Sequence, residues 1–78
     1  MKLNVTIMLR KGILDPQGKA IGQAISSMGV TGVGTVRMGK MIELELPDNT
    51  SEQDIKRICD DLLHNPVMED YTIERLEA

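Results

Sequence analysis

The sequence predicts an α+β fold: a ferredoxin-like βαββαβ domain in which a four-stranded antiparallel sheet carries two helices on one face. Three observations lead there. Apolar and polar residues alternate at period two near both ends of the chain and again in its middle. The two stretches between carry apolar residues at helical spacing, each opening on a capping signal and closing on glycine or proline. The length of 78 residues suits one small domain, residues 1–78, and no repeat, linker or low-complexity segment interrupts it.

Taken in order, Leu3, Val5, Ile7 and Leu9 alternate with Lys2, Asn4, Thr6 and Arg10, a half-buried strand over residues 2–10. Asp15 is placed to cap a helix that Pro16 begins, and Ala20, Ile21, Ala24, Ile25 and Met28 recur at helical spacing before Gly29, so the first helix spans 16–28. Val36 and Met38, a tight turn near Gly39-Lys40, and then Ile42, Leu44 and Leu46 predict a β-hairpin. Pro47-Asp48-Asn49 ends it, and Thr50 with Gln53 forms a capping box. Ile55, Ile58, Cys59, Leu62 and Leu63 then make one face of a second helix, which Asn65-Pro66 closes, and Tyr71 to Leu76 reads as the last strand. Two right-handed crossovers give the strand order 4-1-3-2. This topology gathers residues 10–19, 37–40 and 64–67 at one end of the molecule.

Composition excludes several functions. Hydrophobic residues make up 41% and charged residues 27%, a globular balance rather than a disordered one. Tyr71 is the sole aromatic, so the stacking surface of a single-strand nucleic-acid binder is missing, and no nucleic-acid partner is expected. No apolar run approaches the length of about 18 residues that spans a bilayer, and the N-terminal segment is interrupted by Asn4, Thr6 and Arg10, so no membrane association is expected. With the single Cys59 unable to form an internal disulfide, the chain reads as cytoplasmic. Charge is unevenly placed. Residues 1–40 hold six cations against Asp15 alone, whereas residues 41–78 hold three cations against eleven carboxylates. In the predicted topology Arg10, Lys11, Lys19, Arg37 and Lys40 become a basic end.

No catalytic, cofactor or metal site is expected on this chain. Gly34 to Lys40 matches the first seven positions of a phosphate-binding loop, but Met41 replaces the magnesium-binding hydroxyl and a strand follows where a helix should. Cys59 sits on an apolar helix stripe and reads as a small buried hydrophobe. His64 reads as a helix-end residue, and one His with one Cys cannot complete a zinc site. Met28 and Met38 are expected in the core, whereas Met8 and Met41 fall on the strand face away from the helices, where they favour self-association.

Three segments carry a resemblance: Leu14-Asp15-Pro16-Gln17-Gly18-Lys19-Ala20; Val36-Arg37-Met38-Gly39-Lys40 with Ile42-Glu43-Leu44; and Leu62-Leu63 followed by Asn65-Pro66-Val67 and Glu69-Asp70-Tyr71. Over residues 5–74 the chain resembles the PurS family, the small subunit of phosphoribosylformylglycinamidine synthase. The resemblance implies a subunit of an ATP-dependent, glutamine-using C–N ligase of purine synthesis, with no active site of its own. It further implies a homodimer or larger assembly that bridges a glutaminase (PurQ-like) and a synthetase (PurL-like) subunit and supports ammonia transfer, with ATP and magnesium on the synthetase. Val30 and His64 depart from the family pattern. The polar residues brought to the shared end, Gln17, Lys19, Arg37, Lys40 and Asn65, are the expected partner contacts. The competing reading is a ligand-sensing regulatory module of ferredoxin-like fold. An acylphosphatase-like enzyme fits less well, because Lys11-Gly12-Ile13-Leu14 lacks an arginine-bearing phosphate cradle.

Overall fold

The strand beginning at Lys2 organises everything that follows in the computed structural model, which describes residues 1–76. This strand, β1 (Lys2–Leu9), is paired along both edges, with β2 (Gly39–Glu45) on one side and β3 (Glu69–Leu76) on the other. Both pairings are antiparallel, and the register sets Val5 opposite Ile42 and Ile73, and Ile7 opposite Lys40 and Tyr71. Alternation therefore sends Leu3, Val5 and Ile7 to one face, where all three are buried. Helix α2 (Glu52–Ile58) covers that face and continues into a π-helical turn, Cys59–Leu63. Ile55 and Cys59 are buried beneath it, and Cys59 clusters with Val5 and Ile7 while Ile42, Leu44, Leu63 and Tyr71 pack around them. Cys59 is thus a core residue, and burial pushes its thiol pKa up.

Among the described residues the expected four-stranded sheet is corrected to three strands in the order β2-β1-β3. The expected hairpin does not form: residues 30–38 have no regular structure, and Gly39 and Lys40 lie inside β2 rather than in a turn. The physical reason lies in the glycines. Gly29 and Gly32 adopt positive φ values of 88° and 79°, which bend the chain before any strand can begin. Gly39 is needed for a close approach instead, because a Cβ there would collide with the Ile7 carbonyl and the Met8 side chain across the pair.

Helix α1 (Pro16–Ser27) matches its expected bounds and carries its cap at Asp15, but its apolar stripe finds no cover. Ala20, Ile21, Ala24 and Met28 are exposed and Ile25 is only half-buried, so α1 is not seated on the sheet in the way the sequence predicts. Met28, at 80% exposure, and Met38 are both corrected from core to surface. The second helix is capped by Ser51, whose hydroxyl accepts from the Asp54 amide, and not by the expected box. The Thr50 hydroxyl donates back to the Pro47 carbonyl. The result is a slab of 50 × 30 × 14 Å with a radius of gyration of 16.0 Å. A compact chain of this length would have about 11.5 Å.

With so few buried side chains, each carries much of the stability. Ile7→Ala should cost about 2–5 kcal/mol, as for other fully buried aliphatic truncations. Urea unfolding at fixed chain concentration measures it, and a loss below 1 kcal/mol, on the order of a surface change, would show that the β1 face is not the core.

Candidate functional site

Hydrogen bonds gather three segments at the C-terminal end of β1, as the topology requires. The Arg37 guanidinium donates to the Leu9 carbonyl, and the Arg10 guanidinium donates to the Pro66 carbonyl at 2.6 Å. The Arg10 amide donates to the Met68 carbonyl at 2.9 Å, continuing the β1–β3 ladder past its last paired residues. Residues 10–19, 36–40 and 64–69 therefore share one end.

Asp15 ties two of these segments together. One carboxylate oxygen accepts the Gly18 amide at 2.8 Å, which caps α1, and the other accepts the Met38 amide at 2.8 Å. The Met38 and Gly18 amides hold its carboxyl below the usual carboxylate value of 3.8. Gly18 is buried where the Val36 carbonyl passes, and a Cβ there would strike that oxygen, so glycine permits the crossing. Between α1, the 10–15 loop and residues 33–37 lies an open hollow of 1140 Å³, with Leu9, Ile13, Leu14, Val33 and Val36 on its walls.

The expected contact residues divide. Gln17 and Lys19 are exposed on the first turns of α1, Arg37 is exposed beside Leu9, and Lys40 is exposed at the start of β2. These four present polar groups at the shared end. Asn65 instead builds the turn before β3: its side-chain oxygen accepts the Val67 amide at 2.9 Å, and its carbonyl accepts the Met68 and Glu69 amides. His64 ends the π-helical turn, with Nδ1 2.6 Å from the Cys59 carbonyl. A carbonyl only accepts, so Nδ1 carries the proton. Beside it, Tyr71 donates to Asp60 at 2.7 Å, which pushes the tyrosine pKa up to about 12, and Lys56 holds the Asp60 carboxyl low. Sequence reasoning missed the Lys56–Asp60–Tyr71 chain, although Lys56 and Asp60 stand at the i, i+4 spacing of a helical ion pair.

The chain as a whole is similar to known proteins. A family model described as PurS, phosphoribosylformylglycinamidine (FGAM) synthase, matches residues 2–77. The chain belongs to the PurS family. The PurS subunit of Mycobacterium leprae is 48% identical over 91% of this chain and 90% of its own length. Among solved PurS structures, that of Bacillus subtilis superposes with a TM-score of 0.81 at 41% identity, covering 94% of both chains. A chain of the PurLQS structure from Thermotoga maritima superposes with a TM-score of 0.84 at 31% identity, covering 96% of this chain and 95% of that one.

The Asp15 clamp carries a pH sign. Its pKa is depressed in the folded chain, so its contribution is complete above the unfolded value and disappears as pH falls through the folded one. The Met38 amide should be protected from hydrogen exchange at neutral pH and lose protection on acidification below the usual carboxylate range. Asp15→Asn should lower its protection factor already at neutral pH, and a variant with the parent's protection would show that the clamp does not hold residues 36–38.

Proposed function

We propose that this chain is the non-catalytic small subunit of a phosphoribosylformylglycinamidine synthase, acting in de novo purine synthesis in the cytoplasm. It bridges a glutaminase and an ATP-dependent synthetase subunit and supports passage of ammonia between them, with ATP and magnesium held by the synthetase. The observation that carries this reading is PurS similarity across residues 2–77, together with the fold likeness to a chain of the PurLQS structure. The geometry supports a scaffold. Cys59, the strongest nucleophile by type, is buried and its thiol pKa is raised, so it is withheld from covalent chemistry. The uncovered α1 stripe, the open hollow and the outward edges of β2 and β3 are surfaces for other chains to cover.

Self-association follows from that shape. Sedimentation at micromolar concentration should give a homodimer or larger species, and a monomeric mass at high concentration would contradict it.

Gln17, Lys19, Arg37 and Lys40 form the polar contact at the shared end, with Asn65 supporting it from the turn. Exchanging Arg37 and Lys40 for Glu should cost the isolated chain no more than about 1.5 kcal/mol, since both are exposed and the one hydrogen bond lost, from Arg37 to the Leu9 carbonyl, lies in solvent. The same change should slow association with an acidic partner surface and make the remaining binding less sensitive to salt. Glutamine-dependent synthesis should fall more than ammonia-dependent synthesis, because only the former needs the two larger subunits held together. A folded double variant with the parent's assembly and glutamine-dependent rate would remove this end from the interface.

A further inference from the structure

Helix α1 and residues 33–38 together make an arm. The Asp15 carboxylate holds the Met38 amide, the Val36 carbonyl passes over Gly18, and the Val36 side chain packs against Gly22, so helix and segment are joined before either meets a sheet. Residues 33–38 pair with no strand among the described residues, and the apolar stripe of α1 lies in solvent. On the body of the molecule β2 lacks the matching parts. Its outer edge has no neighbour among the described residues, and Ile42 and Leu44 are only half-buried.

Each piece has what the other lacks, yet one chain does not join them. Folding the arm back onto β2 requires a turn at Gly39-Lys40, and both residues are held in the strand, opposite Met8 and Ile7. The arm therefore continues outward from β2, and the molecule reaches 50 Å in length. A hairpin drawn open at a short hinge is a known route by which identical chains exchange an element.

We propose that two copies of this chain exchange arms about a two-fold axis: residues 33–38 of the second copy pair antiparallel with the outer edge of β2, and its α1 covers Ile42 and Leu44. Each sheet then has the four strands and two covering helices that the sequence predicts, with one strand and one helix supplied by the other copy. This deepens the self-association reading and rests on it. Two features select a second copy as the occupant. An even register sets Val36 and Met38 of the arm beside Ile42 and Leu44, and because Val36 points at α1 through Gly22, that helix arrives on the face that α2 also covers. The same register sets Thr35 and Arg37 on the outer face beside Glu43 and Glu45. Arg37 and Glu45 enter no ion pair among the described residues. One guanidinium nitrogen of Arg37 donates to the Leu9 carbonyl, which leaves further N–H groups for a carboxylate.

The test oxidises the full chain carrying Glu45→Cys with either Thr35→Cys or Arg37→Cys, positions that an even register can set opposite one another, alongside sedimentation of the parent. All three residues are exposed, and the native Cys59 is buried. Directly opposed residues of an antiparallel pair have Cα atoms about 4.5–5.5 Å apart, within disulfide reach. At least one pair should link two chains, doubling the mass on a denaturing gel, in at least tenfold the yield of Val36→Cys/Glu45→Cys, whose positions lie on opposite faces. Disulfides closed within one chain overturn the exchange, because they show the arm folded back on its own β2. A parent dimer with no inter-chain link in either pair also overturns it, assigning the contact to another surface. A parent that stays monomeric at high concentration brings down the self-association reading itself, and the exchange with it. If the variants unfold, amide exchange of the parent decides: outer-edge amides of β2 should be protected at high chain concentration and lose protection on dilution, and equal exchange at both concentrations overturns the proposal.

Discussion

Everything in this molecule hangs on the inner face of β1. Leu3, Val5 and Ile7 are buried because both edges of the strand are paired and α2 closes the face above them. A strand paired along both edges from Lys2 to Met8 has its backbone donors and acceptors taken up by its neighbours, so burying it costs little in lost hydrogen bonds. Its neighbours are less complete. β2 and β3 each have one outward edge, and α1 lies off the sheet with its apolar stripe in solvent. Buried apolar contacts are concentrated in one half of the slab, and the other half is open surface.

That imbalance suits the function. A subunit acting as the proposed scaffold contributes by the surfaces it presents and by how firmly they are held. Here the holding is done by short polar contacts at the end of β1, where Asp15 joins α1 to residue 38 and Arg10 joins the strand to the turn before β3. Several residues that carry the PurS resemblance have this structural duty. Asp15 clamps, Gly18 and Gly39 let backbones approach, Asn65 folds the turn and Arg37 donates to the Leu9 carbonyl, leaving Gln17, Lys19 and Lys40 to face outward beside it.

Much of this was legible in the chain, for identifiable reasons. The period-two run from Leu3 to Leu9 and the helical spacing from Ile55 to Cys59 are local patterns whose apolar faces do become the core. Asp15-Pro16 marks a helix start by chemistry confined to four residues, and the structure caps α1 there. The gathering of residues 10–19, 37–40 and 64–67 at one end was expected from a topology with a hairpin at Gly39-Lys40; that hairpin does not form, but β2 begins at this end because it runs antiparallel to β1, and three hydrogen bonds tie the segments together.

The sequence by itself determined the central strand, both helices, the burial of Cys59 and the membership of the PurS family, because each rests on residue order or short-range spacing. The tertiary structure decided what depends on distant partners. Val36 and Met38 alternate like a strand, yet Asp15 and the α1 glycines hold them against the helix instead. Gly39 reads as a turn residue, yet it lies in a strand because Ile7 and Met8 cross beside it. The α1 stripe reads as core, yet a single copy has no surface that covers it. Amphipathic periodicity states that a face must be buried, and only the arrangement of whole elements states against what.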